Sequence, residues 1–599
     1  MADTRSETST IPLHTLLDSF PAVPEFELSF RNISCGAKHH QDRTHSTILK
    51  NLSGSFRSGR LVGIIGPSGA GKSTLLNVLS GFKRAHVTGQ LRVDGQRVTE
   101  RRCRKIISYT QQEVCLWSSL TVEESLRYAA EFKVATADPD VKRARVQELL
   151  AILGLERCAS TLTGAISGGQ AKRLSIGVEL LSDPRVMLLD EPTSGLDTVA
   201  AYQVLSHIKQ LALRGRVIAC VIHQPNSQQL PLIDDLYVLS RGRRIYSGPT
   251  DSLVSRFAQF ELECPVSHNP ADYALEVASL EQDDDRLRWL ILEEEKDSFN
   301  DNPPVVPLTS EKSVDGSYQR YALTTRQQLA VLLRRAATCT LRDSFQFKAR
   351  ILINIAIALL TSVAFYNAGN NADRILANTA VLIINLYAIF FTSIVSAVLV
   401  YPREAASFVL ESKNNWYSLR AYYWAKIIVE LPTLVLSSSV FFLIVYYFTS
   451  QPLEWLRIGT FALVCLLFGW ISQMLGLLLG SLLPVQSSVF VSILIMVPAS
   501  LFSGFFVPLR DASALLMPLL YVSFVRYAFE GAMHAIYGFG RPDLDCPEVF
   551  CYFRKLRRFL DFVSLPDLPY GYDLLALLAW IVLLMVAVYA SLRRRIKHD

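Results

Sequence analysis

The sequence predicts an α/β domain in its first half and an all-α membrane domain of six helices in its second half. The chain has 599 residues and is only 19% charged, where a soluble protein carries about 25%. Its charges almost disappear in long stretches after residue 350, and a glycine-rich loop joins an apolar strand to a helix in the charged half. Because 50% of the residues are hydrophobic and only 10 are Cys, a disordered chain, a fibre and a small disulfide scaffold are excluded.

The glycine-rich loop has the pattern of a phosphate-binding loop (P-loop). Residues 61–65 form an apolar run typical of a buried parallel strand, and residues 75–79 continue as a helix. Glycines in such a turn let backbone N–H groups surround phosphates, and the N-terminus of the helix faces their negative charge. Lys72 is expected to reach the β- and γ-oxygens and Ser73 to bind Mg²⁺. The full set expected to hold the nucleotide is Gly66, Ser68, Gly69, Gly71, Lys72, Ser73 and Thr74.

Two carboxylates follow a second apolar strand. Residues 186–189 are Val, Met, Leu and Leu, and Asp190 and Glu191 come directly after them. In a nucleotide site, a carboxylate at a strand end can hold Mg²⁺ through water, and a second one can activate the attacking water as a general base. We therefore expect Asp190 to hold the metal and Glu191 to be the catalytic base.

Further motifs surround these two. A Ser-Gly-Gly-Gln turn opens a helix at residues 167–170, which in isolation is ordinary helix-cap chemistry. Gln112 lies where a strand meets a loop, residues 194–197 follow the two carboxylates, and His223 ends the strand 217–222. This order of motifs resembles the nucleotide-binding domain of an ATP-binding cassette (ABC) transporter.

The ABC resemblance implies a role for each motif. Gln112 is similar to the glutamine that senses Mg²⁺ and contacts the membrane domain, and His223 is similar to the switch histidine. Asp197 looks like the D-loop aspartate, and the signature that clamps the γ-phosphate of ATP is matched by Ser167, Gly168, Gly169 and Gln170. The resemblance thus implies ATP and Mg²⁺ as cofactors. In this family ATP lies between two such domains, so the P-loop of one chain requires the signature of another.

The aromatic residue that stacks on adenine in many ABC domains has no evident counterpart. Phe26 and Phe30 are the candidates, and residues 35–37 (Cys-Gly-Ala) occupy a stretch where an aromatic residue is expected. The preference for ATP over other nucleoside triphosphates is therefore taken from the family.

The chain divides into four segments. Residues 1–25 are expected to form a flexible N-terminus, 26–280 the nucleotide-binding domain, 281–325 a charged linker and 326–599 the membrane domain. Acidic runs and several Pro residues within 281–325 indicate that the linker is flexible and exposed to solvent.

The order of the two domains is typical of the White, or ABC-G, subfamily. Residues 269–272 (Asn-Pro-Ala-Asp) look like that subfamily, as do segments 422–426 and 502–507. The resemblance covers nearly the whole chain after residue 25. Segments at packing positions, among them 416–419 and 524–527, are similar to the sterol-exporting branch in particular.

Five apolar stretches are long enough to span a bilayer, which takes about 17–25 residues. The longest, 458–509, contains the breaker Leu-Pro-Val-Gln-Ser-Ser at 483–488, so we expect it to form two helices. Lys and Arg residues concentrate on the side of the spans that holds both termini, which makes that side cytoplasmic. The expected spans are 351–372, 376–402, 427–449, 458–482, 487–508 and 573–592.

The topology leaves residues 509–572 as an external loop, because long loops are translocated largely regardless of their charge. Cys546 and Cys551 of this loop then face an oxidising compartment. An intraloop disulfide is favoured, and a bridge between subunits or two free thiols are the alternatives. No cleavable signal peptide is expected, because the first residues lack an apolar run. We expect the plasma membrane, with an endosomal or other organelle membrane as the alternative.

The resemblance also implies a substrate path through the membrane domain. A flat apolar molecule suits an apolar slot with few polar groups. Phe505 and Phe506 lie where the family has an apolar plug, and packing against lipid or another helix is the alternative for this pair. The side chains expected to line the inner cavity are Tyr387, Phe390, Phe391 and Thr392.

The expected function is that of an ATP-driven half-transporter. It would work as a homodimer, or as a heterodimer with another ABC-G chain, and export sterols or other lipids of the bilayer. A transporter of small aromatic metabolites such as pigment precursors is an alternative, and so is a membrane-anchored regulatory ATPase. The net charge of +6 is modest for this length, and no nucleic acid partner is expected.

Overall fold

The computed structural model describes residues 26–38, 45–83, 86–98, 103, 106–112, 114–134, 136, 138–281, 284–299, 321–507, 513, 515–547, 550–563 and 569–598. The predicted flexible N-terminus, residues 1–25, lies outside this range. The chain forms two compact units. The first runs to Leu323 and also includes Lys413–Trp416, and the second comprises Thr324–Ser412 and the chain from Tyr417 onward.

Two sheets form the centre of the first unit. The smaller one is antiparallel, in the order β2-β1-β4-β5. Its strands are β1 (Glu27–Lys38), β2 (His45–Arg57), β4 (Val87–Val93) and β5 (Gln96–Arg97). The larger sheet has the order β10-β9-β3-β8-β7-β6, with β10 antiparallel to β9 and the other pairs parallel. Its strands are β3 (Leu61–Ile65), β6 (Ile107–Thr110), β7 (Val186–Asp190), β8 (Val217–Val221), β9 (Asp235–Ser240) and β10 (Arg243–Pro249).

The central strands of the larger sheet are apolar along their length because both faces are covered. Every residue of β3, β7 and β8 is buried, as expected for parallel strands with helices on their faces. The helices of this unit are α1 (Lys72–Leu79), α2 (Val122–Lys133), α3 (Pro139–Ile152), α4 (Gly168–Leu180), α5 (Thr198–Leu213), α6 (Leu253–Ala258), α7 (Pro270–Ser279) and α8 (Asp285–Phe299).

Helix α8 corrects the expected linker. Residues 281–325 were expected to be flexible and solvated, yet 285–299 are helical and pack on β10. Leu287 and Leu290, one helical turn apart, are buried, and Glu294 forms ion pairs with Arg244 at 3.1 Å and Arg256 at 3.4 Å. Apolar residues at helical spacing therefore outweigh the acidic composition. Residues 282–283 and 300–320 of this segment lie outside the described part.

The second unit is helical in its described residues. Its helices are α9 (Thr325–Arg342), α10 (Ser344–Ala364), α11 (Ile375–Lys413), α12 (Leu419–Phe448), α13 (Trp455–Leu482), α14 (Val485–Leu501), α15 (Met517–Val522), α16 (Phe524–Tyr537), α17 (Leu556–Val563) and α18 (Tyr570–His598). Within the described residues, five helices are long and apolar enough to cross a membrane, namely α10 to α13 and α18. Helix α14, at the expected fifth span 487–508, is a shorter apolar helix of 17 residues.

The boundaries of the expected spans also differ. The first expected span, 351–372, is shifted toward the C-terminus relative to α10, and α11 continues as helix well beyond the expected end at residue 402. Charge-free length marks where a helix is apolar, whereas helices extend into charged flanks as long as their backbone hydrogen bonds are satisfied.

The expected external loop 509–572 contains a buried helix. Every residue of α16 except His534 is buried, and this helix packs against α13 and α18. Gly531 permits the close approach, since a Cβ at this position would lie 3.1 Å from a methyl carbon of Val464 on α13. The segment is therefore a structural part of the membrane unit rather than only a connection. Farther along it, Cys546 and Cys551 are joined by a disulfide.

Candidate nucleotide-binding site

The P-loop connects β3 to α1 in a turn that only glycine accommodates at two positions. A Cβ on Gly66 would lie 2.4 Å from the carbonyl oxygen of Leu239. Gly71 precedes α1 with φ of 101°, a backbone conformation that other residues rarely adopt. Ser68 and Ser73 are exposed. The loop thus brings the N-terminus of a helix and exposed polar groups to one place, which suits a phosphate ligand.

Lys72 bends back over this loop. Its side-chain nitrogen donates to the carbonyl oxygens of Gly66 at 2.7 Å and Pro67 at 3.0 Å. Burial lowers the pKa of Lys72, and the nearby carboxylates of Glu191 and Asp190 partly offset that effect. A buried ammonium whose hydrogen bonds go to neutral carbonyls is well placed to gain from a phosphate.

Asp190 and Ser73 meet as the sequence predicts. The Ser73 hydroxyl donates to one carboxylate oxygen of Asp190 at 3.1 Å, and the Tyr109 hydroxyl donates to the other at 3.1 Å. Burial raises the pKa of Asp190, against the lowering effect of these two hydrogen bonds. Tyr109 was not among the site residues predicted from the sequence, because nothing in its local sequence distinguishes it from an ordinary core tyrosine.

The donor set fits Mg²⁺ bound together with a nucleotide. Across the described ranges no group of three or more His, Cys, Asp or Glu side chains is placed to hold a metal ion. Mg²⁺ usually keeps several waters and takes one or two carboxylates plus substrate phosphates. Ser73 and Asp190 offer the hard oxygen ligands that such a site needs.

Glu191 and Gln112 are also brought together. The side-chain amide of Gln112 donates to a carboxylate oxygen of Glu191 at 2.7 Å, and Glu191 itself has a left-handed backbone with φ of 48°. The side-chain nitrogen of Lys172 donates to the backbone carbonyl of Gln112 and, at 3.4 Å, to that of Glu191. Lys172 therefore ties helix α4 to Gln112 and Glu191, two of the predicted catalytic residues.

Lys172 was not identified from the sequence. The available signal was its position four residues after Gly168, which places both on the same face of α4. Lys172 is 8% exposed, unusual for a lysine. Burial lowers its pKa, partly offset by Glu191 and Asp190.

The signature and D-loop residues cap two neighbouring helices. The Ser167 hydroxyl accepts from the Gln170 backbone N–H at 3.3 Å, and the Gln170 side chain accepts from the Ser167 N–H at 3.0 Å. Asp197 caps α5 by accepting from the Ala200 N–H at 2.8 Å. A Cβ on Gly169 would lie 3.2 Å from that of Ala200, so the first turns of α4 and α5 pack closely.

Several of these predicted residues point to solvent. Ser167, Gly168, Asp197 and His223 are exposed. No described hydrogen bond joins any of them to the P-loop. Within one chain, the structure thus brings together Lys72, Ser73, Asp190, Glu191 and Gln112, while the signature, the D-loop and His223 stay outside that cluster.

Both candidate adenine-stacking residues are wrong. Phe30 is fully buried, and its ring packs with those of Phe56 at 5.4 Å and Tyr237 at 5.8 Å. Phe26 is 4% exposed and lies under the guanidinium of Arg185. Both rings belong to the core of the domain, where no base can reach them.

Comparison with known proteins agrees with this geometry. Residues 49–194 match the family model "ABC transporter", and residues 327–537 match the model "ABC-2 type transporter"; together they cover more than half of the chain. ABC transporter G family member 7 of Arabidopsis thaliana is 29% identical, over 84% of this chain and 73% of its own length. ABC transporter G family member 1 of Dictyostelium discoideum is 28% identical, over 85% and 77%. The chain belongs to the ABC-G subfamily.

Membership in ABC-G confirms the order of the predicted domains, a nucleotide-binding domain followed by a helical membrane domain. The nucleotide-binding domain of this ABC-G chain is an ATPase coupled to transport.

The predicted substrate residues of this ABC-G chain differ in burial. Phe390 is fully buried, and its ring packs with those of Phe468 and Phe524, each at 6.3 Å. Phe391 is 39% exposed. The two rings touch edge to face, with their centroids 5.4 Å apart. Phe390 is a core residue of the membrane unit, and only Phe391 keeps an exposed ring.

The other four predicted substrate residues differ in exposure. Tyr387 and Thr392 are half-buried, and the Thr392 hydroxyl donates to the Ala388 carbonyl at 2.8 Å. Phe505 is half-buried, with its ring 5.8 Å from that of Phe529, whereas Phe506 is 54% exposed. The ring of Phe505 thus packs within this chain, and Phe506 presents an apolar surface.

Proposed function

We propose that this ABC-G half-transporter pairs with a second half-transporter and uses ATP hydrolysis to export sterols or other lipids from the bilayer. Pairing is supported by the exposure of Ser167 and Gly168 of the signature and of Asp197 of the D-loop. Among the described hydrogen bonds, none joins the P-loop of this chain to its own signature residues. A second copy of the chain, or a related chain, would therefore supply the signature.

In the proposed site, Lys72 and the loop backbone bind the phosphates of ATP, and Ser73 and Asp190 hold Mg²⁺. Bound there, the metal would offset the negative charge of the phosphates. Glu191 acts as general base toward the attacking water, and Gln112 orients its carboxylate through the 2.7 Å hydrogen bond. The signature and His223 would act on ATP held by the partner.

Hydrolysis can be tested with two variants of the purified full chain. Glu191→Gln should abolish steady-state hydrolysis while ATP stays bound, and Lys72→Met should lose hydrolysis through failure to hold the phosphates. Asp140→Asn, at an exposed carboxylate on α3, is the control and should keep the parent rate. Normal turnover in Glu191→Gln would contradict the general-base assignment.

The proposal of a lipid substrate rests on the burial of polar side chains in the membrane unit. Gln473 donates to Glu430 at 2.7 Å, and Ser393 accepts from Arg350 at 3.2 Å. Both polar residues are 1% exposed. Because both side chains are almost fully buried, neither offers polar surface to a metabolite with ring nitrogens or hydroxyls.

The surface that is left is apolar. Phe391 on α11 is exposed, and α14 presents a continuous stripe at helical spacing, formed by Phe490, Leu494, Val497 and Leu501. Such a surface favours a flat apolar molecule over a polar one, because apolar burial is non-directional and scales with area.

ATPase activity in reconstituted vesicles separates the candidate substrates. We expect stimulation by sterols or phospholipids and none by pigment precursors. Phe391→Ala should reduce the stimulation, whereas Leu352→Ala, at another exposed apolar residue on α10, should not. Stimulation by pigment precursors alone would favour the metabolite alternative, and basal hydrolysis with no transport of any candidate would favour a regulatory ATPase.

We also propose that both termini are cytoplasmic and that the chain resides in the plasma membrane. The disulfide Cys546–Cys551 supports an oxidising environment for the segment before α18. A membrane-impermeant maleimide added to intact cells should label Cys551 in the Cys546→Ser variant. Labelling only after permeabilisation would place this segment on the other side or in an internal membrane.

A further inference from the structure

A second cleft lies on the nucleotide-binding unit, apart from every residue assigned above to ATP. It has a volume of about 530 Å³ and opens between helix α8 and the turn from β9 to β10. Lys50 of β2 and Arg241 and Arg243 of the turn form one wall, and successive turns of α8 form the other.

Cations dominate the lining of this cleft. Lys50, Arg241, Arg243 and Arg288 are accompanied by a single acidic residue, Asp285. Arg243 forms an ion pair with Glu295. In the described part of the chain the other three cations have no carboxylate partner. Like charges around one cavity repel each other, and a ligand with several negative charges would relieve that repulsion.

The α8 wall adds exposed apolar surface. Trp289 is 69% exposed and Leu292 is 55% exposed, three residues apart on the same side of the helix. The neighbouring Leu287 is buried and fixes this wall to the domain. An exposed indole beside several cations matches a ligand with a flat ring and phosphates, because the ring can stack on the indole while the phosphates pair with the cations.

The basic wall is bonded to the P-loop. Gly242, between the two arginines of the turn, donates its N–H to the Ala70 carbonyl at 3.0 Å and accepts from the Lys50 N–H at 2.8 Å. The contact leaves no room for a side chain, because a Cβ on Gly242 would lie 1.9 Å from the Ile48 carbonyl oxygen. A ligand held by this wall would therefore act on a backbone that is continuous with the ATP site.

We propose that this cleft is a second, regulatory nucleotide site, in which Trp289 stacks on the base and Lys50, Arg241 and Arg288 bind the phosphates. It is separate from the site that hydrolyses ATP, and its ligand need not be hydrolysed.

Binding of AMP to the full chain in lipid nanodiscs tests the proposal. AMP lacks the β- and γ-phosphates that Lys72 is expected to hold, so it discriminates against the P-loop. We expect AMP to quench tryptophan fluorescence, and Trp289→Phe to remove the quenching. Arg241→Gln combined with Arg288→Gln should weaken AMP binding about tenfold or more. Lys72→Met and the surface control Arg143→Gln should leave it unchanged.

Two partial ligands separate the contributions of ring and phosphate. Adenosine supplies the ring alone and pyrophosphate the phosphates alone, and each should bind at least about tenfold more weakly than AMP. Absence of AMP binding, or binding lost in Lys72→Met but kept in the arginine variant, would overturn the proposal. Pyrophosphate binding as tight as AMP binding would also overturn it, since a ring-independent anion site would then remain. ATPase activity measured on the same samples tests the hydrolytic site independently.

Discussion

Replacing Glu411 by Gln removes one charge from a buried ion pair of the membrane unit. Arg335 is 3% exposed and Glu411 is 5% exposed. Two guanidinium nitrogens of Arg335 donate to the two carboxylate oxygens, at 2.9 and 2.8 Å, and the Tyr417 hydroxyl donates to one of the same oxygens. Glu411→Gln keeps the shape of the side chain but removes the negative charge that faces the buried guanidinium of Arg335.

The expected cost follows from that burial. Breaking a buried pair by neutralising one partner costs about 3–5 kcal/mol, because the remaining charge stays desolvated. At about 2–4 °C per kcal/mol for a unit of 150–250 residues, the unfolding temperature should fall by roughly 6–20 °C. Thermal unfolding of the full chain in detergent, followed by tryptophan fluorescence at one fixed scan rate, measures this shift.

Two further variants test the reasoning. Arg335→Met combined with Glu411→Leu should recover most of the loss, since well-packed apolar residues often replace a buried pair at little cost. Asp140→Asn makes the same change from carboxylate to amide in an ion pair whose side chains are 73% and 83% exposed, and it should cost less than about 1 kcal/mol. A Glu411→Gln variant as stable as Asp140→Asn, or a double variant no better than the single one, would refute the argument.

Three other predictions follow from the sites described above. Lys172→Met should lower kcat for ATP about 10- to 100-fold with little change in KM, because it displaces the backbone that carries the catalytic residues; a change confined to KM would contradict this role. Tyr109→Phe removes a hydrogen bond that lowers the pKa of Asp190, so the acidic limb of the kcat/KM profile should move to higher pH, and an unmoved limb would show that Asp190 does not govern it. Non-reducing mass spectrometry should find Cys546 and Cys551 linked within one chain, and disulfide-bonded dimers that disappear in Cys546→Ser would indicate a bridge between subunits.

Local motifs made much of the nucleotide site predictable. Glycines, Lys72 and Ser73 occur within one strand-turn-helix unit, so their arrangement depends on chemistry within a few residues. Asp190 could be placed near Ser73 because the parallel strands of one sheet deliver their C-terminal residues to the same edge, even with β8 between β3 and β7. Tyr109 and Lys172 could not be found this way, since each reaches the site from an element whose packing has no local signature.

Other differences arise where two sequence signals compete. Helix α8 contains an acidic run, which suggested a solvated linker, and also Leu287 and Leu290 at helical spacing, which the fold buries. Phe30 has the ring required for adenine stacking, but strand alternation turns it into the core. Composition describes the average polarity of a segment, whereas burial depends on the direction in which each side chain points from its helix or strand.

The sequence by itself determined that the chain is a charged ATPase domain followed by an apolar membrane domain, because hydropathy and short motifs are local properties. Only the tertiary structure decided which side chains meet. It buried Phe390 and exposed Phe391, made α16 part of the membrane unit, and placed Trp289 beside a group of cations. These outcomes depend on packing between distant elements, in which the rotation of a helix by one residue exchanges a core position for a surface position.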